Sequence, residues 1–210
     1  FVSPDHFDDV RGVDRRSDKE TIIYNNFEQA NCCNKNDTLF PIVKAFTTYS
    51  SVIVNPDNNK VLVEGITDYN YLTAFKRYLN IDNIVFIPFN GVGRKSKDME
   101  ITCNGLASPA KGGILLVDAD NSGKQFDEIA KKRGFTIKKL SDIDEKWSVI
   151  ESLFTEDEKA KFHLMDKSNG LGSEVSSNFK KLLLNGKVDV SQETKDNFIK
   201  LLSTLSEQKD

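Results

Sequence analysis

Two short apolar runs in this chain each end abruptly in carboxylates and a glycine. Apolar runs of this kind, bounded by turn-forming residues, are typical of buried parallel strands. In open α/β sheets, the binding site lies just beyond the carboxyl ends of such strands. The pattern therefore predicts a group of carboxylates at one edge of a parallel sheet. The acids that follow the two runs are Glu64 and Asp68 after residues 60–63, and Asp118 and Asp120 after residues 114–117.

The wider pattern predicts an α/β fold with a mostly parallel sheet flanked by helices. Strands alternate with helical segments from residue 60 to residue 139, which implies parallel strands joined by crossover connections. The predicted strands are 60–63, 84–88, 114–117 and 135–139, and the predicted helices between them are 68–79, 98–107 and 124–133. After Trp147 the pattern is wholly helical, over 147–154, 156–165, 173–184 and 191–205.

One helix is especially well marked, the one predicted over residues 68–79. Leu72, Phe75 and Leu79 recur at helical spacing and form one apolar face. Lys76 and Arg77 fall on the other side of the helix. We therefore expect this helix to pack one face on the sheet and to expose its two cations.

The clustered acids predict a metal site. Three or four carboxylates at strand ends, with no basic residue beside them, repel one another unless a cation neutralises them. Their hard oxygen ligands suit Mg²⁺ or Mn²⁺ better than zinc. Asp118 and Asp120 are two residues apart, so they point to the same side of an extended backbone. We expect Glu64, Asp118 and Asp120 to bind Mg²⁺ or Mn²⁺, as a pair of ions in a two-metal site.

Two further acids have competing interpretations. Asp68 can return to the same edge because Gly65 permits a tight strand-to-helix reversal, or it can satisfy free N–H groups at the start of the helix. Glu151 lies in an apolar segment, where a buried carboxylate is costly unless it is paired or bound to a metal. An amphipathic helix can also carry such a glutamate on its exposed face. Glu156 and Glu158 stand in a charged stretch and are weaker candidates.

The spacing of these acids resembles the Toprim domain of topoisomerases, bacterial primases, recombination mediators and several nucleases. In that domain Glu-Gly ends one strand and Asp-x-Asp ends a later one, as Glu64-Gly65 and Asp118-Ala-Asp120 do here. The fuller string from Val61 to Leu72 looks most like the nucleases of the overcoming-lysogenization-defect family. The resemblance covers residues 60–155 and implies a metal-dependent DNA endonuclease or nickase.

The same resemblance implies a larger organisation. In these nucleases a cassette-type ATPase precedes the Toprim domain, so residues 1–35 would be the end of an ATPase domain. The pattern of residues 36–59 itself predicts a helix and a linker. Residues 60–155 would be the Toprim catalytic domain and 156–210 a helical extension. ATP would act only through the preceding domain, because no Gly-x-x-x-x-Gly-Lys-Ser/Thr string occurs in this chain. A homodimer or higher oligomer, a role in defence against phage and a defence-system partner protein are likewise implied.

The family also implies two further site residues. An Ile-Glu segment after Asp-x-Asp supplies a metal ligand in these nucleases, and Ile150-Glu151 matches it. A lysine in the C-terminal helices stabilises transition-state charge, and either Lys180 or Lys181 matches that position. Spacing alone selects neither lysine, since most lysine pairs on a helix are simply solvated.

A basic glycine-containing loop follows the strand 84–88. Glycines allow close approach to a phosphate backbone, and three cations attract it in a salt-dependent way. The position of the loop beyond a strand end favours a DNA-facing role over an ordinary basic loop. Its cations are Arg94, Lys95 and Lys97.

Composition limits the remaining possibilities. A formal net charge of −3 gives no overall basic field, so contact with nucleic acid must come from local patches. Three cysteines form neither a disulfide framework nor a zinc pattern, and no apolar stretch is long enough to span a membrane. We expect a soluble cytoplasmic segment. A Toprim ribonuclease and a non-catalytic Toprim assembly module stay open as alternatives.

Overall fold

The structure is a computed structural model that describes residues 12–17, 20–24, 59–88, 112–119, 134–165 and 172–207. The chain divides into two compact units, residues 1–55 and residues 56–210. The helices predicted over 98–107 and 124–133 lie outside the described residues. In the described part of the chain, no helix is long and apolar enough to cross a membrane.

The first unit contains a two-stranded antiparallel sheet. Strand β1 spans Gly12–Ser17 and strand β2 spans Glu20–Tyr24. Val13 lies opposite Ile23 in the register, and both side chains are exposed. The proposed origin of residues 1–35 in an ATPase domain stays a prediction.

The second unit is built on a parallel sheet, and the predicted α/β class is confirmed. Its described strands are β3 (Asn59–Val63), β4 (Ile84–Pro88), β5 (Ile114–Val117) and β6 (Thr136–Lys139). They lie in the order β4-β3-β5-β6, and every neighbouring pair is parallel. Three consecutive residues at the end of β3 and of β5 are buried, as expected for strands covered on both faces.

The described part of this unit contains five α-helices, one between β3 and β4 and four after β6 in the sequence. They are α1 (Ile66–Tyr78), α2 (Leu140–Ile143), α3 (Glu156–Lys161), α4 (Gly172–Leu184) and α5 (Gln192–Ser206).

Helix α1 is the central helix of the unit. Every residue from Tyr69 to Lys76 is buried, so the expectation of one exposed basic side is wrong for Lys76, which is 7% exposed. The reason is that α1 is covered on its outer side as well, where α4 packs along it.

The segment before α3 differs from prediction. The prediction of a helix over residues 147–154 is wrong, since only the 3₁₀ turn Ile150–Leu153 forms there. There the backbone N–H groups of Ser148 and Val149 donate to the Ser152 hydroxyl. Such local bonds between side chain and backbone compete with an α-helix.

The C-terminal helices share an aromatic core with α1. The rings of Phe75 on α1 and Phe198 on α5 stack with centroids 3.6 Å apart and planes 6° apart. Phe154 and Phe179 meet both of the α1 aromatics Tyr71 and Phe75. The described helices after residue 155 are therefore packed into the second unit.

Helix α5 is also tied to the sheet at its carboxyl end. The ammonium of Lys138 on β6 donates to the carbonyl of Thr204 at 2.7 Å. The side-chain amide of Asn59 on β3 donates to the carbonyl of Ser206. These donors satisfy carbonyls that the end of a helix leaves without partners. The predicted boundary between residues 155 and 156 stays a prediction.

Candidate functional site

The order of the strands creates a crevice beside β3. The chain passes from β3 to β4 on one side and later enters β5 on the other side of β3. Connections that leave two neighbouring strands in opposite directions open a crevice between their carboxyl ends, which is where open α/β sheets bind ligands. Here that point lies between β3 and β5.

Glu64 and Asp118 lie at this point, as the sequence predicts. Val63 and Leu116 form the last pair in the register of β3 and β5. Glu64 is therefore one residue beyond Val63 on β3, and Asp118 is two residues beyond Leu116 on β5. Both acids are half-buried. One small cleft contains them, lined by Val63, Glu64, Asp68, Leu116, Val117, Asp118, Leu140 and Ile150.

Asp68 lines the same cleft as Glu64 and Asp118, and it also has a structural role. Its Oδ2 atom accepts a hydrogen bond of 3.0 Å from the backbone N–H of Gly65. This is the return contact by which an acid in the first turn satisfies the N–H at the start of a helix. The proposed reason for Gly65 is wrong, because its φ of −139° is extended backbone that any residue adopts. Asp68 is instead held beside the other two acids by its hydrogen bond with the N–H of Gly65.

Glu151 is buried close to the same edge. Its side chain is 4% exposed, and the preceding residue, Ile150, lines the cleft. The backbone N–H of Ala119, directly after Asp118, donates to the carbonyl of Ser148 at 2.8 Å. This bond fixes the loop before the 3₁₀ turn against the end of β5. Of the two interpretations of Glu151, the structure shows the buried one, and the residue lies in a 3₁₀ turn instead of the predicted helix.

Tyr71 is a residue of this site that sequence reasoning missed. Its side chain is 0% exposed. Burial, followed by the negative charges of Glu151 and Asp68, raises the pKa of the Tyr71 hydroxyl well above its usual range. The hydroxyl therefore stays protonated. The available signal was spacing, since Tyr71 follows Asp68 by three residues on a helix and so shares its face.

The structure separates the two candidate lysines. Lys180 on α4 is 2% exposed, whereas Lys181 is exposed to solvent. The ammonium of Lys180 lies 5.2 Å from the centroid of the Tyr69 ring. One turn earlier on α4, Ser176 accepts a hydrogen bond of 3.0 Å from the side-chain amide of Asn70. Lys180 thus faces α1 beside the residues that follow Asp68.

Several predicted site residues lie outside the described residues. These are Asp120 and the basic-loop residues Arg94, Lys95 and Lys97. Within the described part of the chain, no three His, Cys, Asp or Glu side chains form a group that could hold a metal ion. Glu64, Asp68 and Asp118 nevertheless line one cleft, and carboxylate oxygens are ligands that Mg²⁺ and Mn²⁺ prefer. The residue types that line the cleft therefore suit such an ion.

Comparisons of the chain with models of protein families, with curated proteins and with solved structures gave no match.

Proposed function

We propose that this chain is the catalytic part of a divalent-metal-dependent nuclease, a DNA endonuclease or nickase of the Toprim class. The strongest support is that Glu64 and Asp118 line one cleft. This cleft lies at the carboxyl ends of β3 and β5, where the strand order opens a crevice. Each acid follows a buried strand, so its backbone is held by the sheet. Such fixed placement is what a metal-dependent active site requires.

In this proposal Glu64, Asp118 and Asp120 hold Mg²⁺ or Mn²⁺, as a pair of ions, and Asp68 and Glu151 complete the ligand set. When bound, the metal supplies positive charge for the phosphoryl oxygens and lowers the pKa of a coordinated water. The side chains of the chain itself hold the acids in place. Asp68 is oriented by the N–H of Gly65, and the turn that carries Glu151 is fixed to the end of β5.

Lys180 is the lysine we assign to transition-state charge. A cation held rigidly in a water-poor environment stabilises developing negative charge more strongly than one in bulk water. Lys180 is buried, whereas Lys181 is exposed and can be screened by water and salt. We assign DNA contact to Arg94, Lys95 and Lys97, which follow the carboxyl end of β4.

The wider setting of this proposal comes from the family resemblance. We propose that the full protein couples the nuclease to a cassette-type ATPase, acts as a homodimer or larger oligomer, and serves phage defence in the cytoplasm with a partner protein. A ribonuclease would use the same acids, and an assembly module would not need them. A cleavage assay on DNA and RNA separates these three functions.

In that assay the chain is incubated with supercoiled plasmid and with structured RNA, in Mg²⁺, Mn²⁺, Ca²⁺ or chelator. We expect wild type to nick or cut the plasmid with Mg²⁺ or Mn²⁺ and to leave it intact in chelator. Glu64→Gln and Asp118→Asn should be inactive. Asp82→Asn is the matched control, because Asp82 is an exposed acid next to the amino end of β4, at the opposite edge of the sheet.

The pattern of cleavage decides the proposal. Cleavage of RNA alone would make the chain a ribonuclease. Absence of cleavage in every metal, with an intact fold, would favour the assembly module. Wild-type activity in both Glu64→Gln and Asp118→Asn would remove the cleft from the mechanism.

A further inference from the structure

The hydroxyl of Tyr71 is a buried polar group without a hydrogen-bond partner among the described residues. The side chain is 0% exposed, so bulk water does not compensate for the missing bond. A buried polar atom without a partner costs about 1–3 kcal/mol, and such atoms in native proteins call for an explanation. The rest of the side chain is well packed, so the hydroxyl is the one part of Tyr71 that packing does not explain.

The ring of Tyr71 is held in one orientation. Phe154 and Phe179 meet it edge-on, at centroid distances of 5.2 Å and 5.7 Å. Phe154 belongs to the turn of Glu151, because its backbone N–H donates to the carbonyl of Glu151 at 3.2 Å. The ring therefore packs directly against the segment that carries Glu151. Edge-to-face contacts of this kind have preferred geometries and restrict ring reorientation.

The charges around the hydroxyl agree with this placement. Glu151 has the larger electrostatic effect on Tyr71 and Asp68 the smaller one, after burial itself. Burial and both charges raise the pKa of the hydroxyl, so it keeps its proton and can donate a hydrogen bond. One oxygen of Asp68 already accepts from the N–H of Gly65. The packing of the Tyr71 ring on Phe154, whose N–H is bonded to the carbonyl of Glu151, favours Glu151 as the acceptor for the Tyr71 proton.

We propose that Tyr71 is a positioning residue, whose hydroxyl donates a hydrogen bond to the Glu151 carboxylate when a divalent cation is bound. This inference rests on the proposed metal-dependent function. Carboxylates that ligate a metal are themselves oriented by hydrogen bonds, and loss of such a partner typically weakens metal binding about 10–100-fold. A donor that has no partner among the described residues would then gain one in the metal complex.

The test compares Tyr71→Phe with wild type in binding of Mn²⁺ and in melting temperature. Removing an unpaired buried hydroxyl should leave the melting temperature in chelator unchanged or raise it. The same change should weaken Mn²⁺ binding, measured by calorimetry, by about tenfold or more. Saturating Mn²⁺ should therefore raise the melting temperature of wild type more than that of Tyr71→Phe.

The matched control is Tyr78→Phe. Tyr78 lies on the same helix, and its hydroxyl is bonded to Asp189 at 3.3 Å, on the exposed surface. We expect Tyr78→Phe to bind Mn²⁺ as wild type does. This control separates a loss at the metal site from a general effect of removing a tyrosine hydroxyl from α1.

Each result has a distinct meaning. Equal Mn²⁺ affinity in wild type and Tyr71→Phe would overturn the role of Tyr71 while leaving the proposed nuclease intact. An equal loss of melting temperature in chelator and in Mn²⁺ would show that the hydroxyl is structural, and would also overturn the role. Absence of Mn²⁺ binding to wild type would overturn the proposed metal site and the positioning role together.

Discussion

Lys180 and Tyr69 form a buried cation–π contact between α4 and α1, with the ammonium 5.2 Å from the ring centroid. Tyr69 is the residue after Asp68, so the contact brings a lysine of a C-terminal helix next to the helix that begins at the cleft. Both side chains are almost fully buried. A charge removed from water in this way needs compensation, and the tyrosine face supplies part of it.

The first prediction concerns the two adjacent lysines. Lys180→Met should slow plasmid cleavage by about 10²–10³-fold, as expected when one group that stabilises transition-state charge is removed. Methionine has a long, unbranched side chain and fills the buried site. Lys181→Met is the matched control and should cleave at the wild-type rate, because Lys181 is exposed. Single-turnover rates at saturating Mn²⁺ measure the effect.

Mn²⁺ affinity should be the same in both lysine variants, since neither lysine is a proposed metal ligand. Equal rates for Lys180→Met and wild type would remove Lys180 from the mechanism. A slow Lys181→Met with a normal Lys180→Met would reverse the assignment of the two residues.

The second prediction concerns Glu158, whose carboxylate joins the beginnings of two helices. It accepts hydrogen bonds from the N–H and hydroxyl of Thr155 at the start of α3, and from the N–H of Ser191 and the hydroxyl of Thr194 at the start of α5. Glu158→Gln should lower the free energy of unfolding by about 1–3 kcal/mol, because an amide cannot accept all four bonds. Urea unfolding at neutral pH measures it. Glu156→Gln, on the exposed side of α3, is the control.

The contribution of Glu158 should also depend on pH. Burial alone would raise the pKa of Glu158, but the hydrogen bonds from Thr194, Ser191 and Thr155 outweigh burial and lower it. A folded pKa below the ordinary value of 4.5 means that unfolding takes up a proton in acid. The stabilisation is therefore complete above pH 4.5 and disappears as the pH falls through the folded pKa. The difference between wild type and Glu158→Gln should shrink in that range, and a constant difference would contradict the assignment.

The third prediction concerns the stack of Phe75 and Phe198. Both side chains are 0% exposed, and the stack joins α5 to the central helix of the sheet unit. Phe198→Ala should lower the free energy of unfolding by about 3–5 kcal/mol, through reduced apolar burial and the cavity left behind. The adjacent Ile199 is 42% exposed, so Ile199→Ala should have a much smaller effect. Similar decreases in the two variants would mean that α5 does not share the core.

The fourth prediction concerns the basic loop, which lies outside the described residues. Changing Arg94, Lys95 and Lys97 together to alanine should weaken DNA binding at low salt. It should also flatten the dependence of log K on log[salt], by up to about 0.9 for each phosphate that the variant no longer neutralises. Mn²⁺ binding should not change, because none of the three is a proposed ligand. An unchanged salt slope would place the DNA on another face.

Local patterns in the sequence predicted the elements of the sheet closely. The strands Ile84–Pro88 and Ile114–Val117 have the bounds expected from their apolar runs. Helix α4 also begins and ends within one residue of its prediction. These elements depend on the periodicity of neighbouring residues. Helix ends were less predictable, as in α3, where Phe162 ends the helix and His163 takes a positive φ of 54°.

Burial of charged residues was not predictable in the same way. Glu158 stands in a charged stretch of the sequence, yet it is buried because its partners Ser191 and Thr194 come from much later in the chain. Thr155, three residues before Glu158, was the one local signal, as a capping box pattern. Lys76 was expected to be exposed and is buried for the related reason that α4 covers α1.

The sequence by itself determined which residues form strands and the central helix, and it placed Glu64 and Asp118 at the ends of two strands. Those properties follow from side-chain periodicity and from turn-forming residues, which act over a few positions. Only the tertiary structure decided that β3 and β5 are neighbours, that Lys180 rather than Lys181 faces α1, and that the ring of Tyr71 packs on Phe154 in the turn of Glu151. These relationships join residues far apart in the chain, and their contacts form only when the helices pack on the sheet.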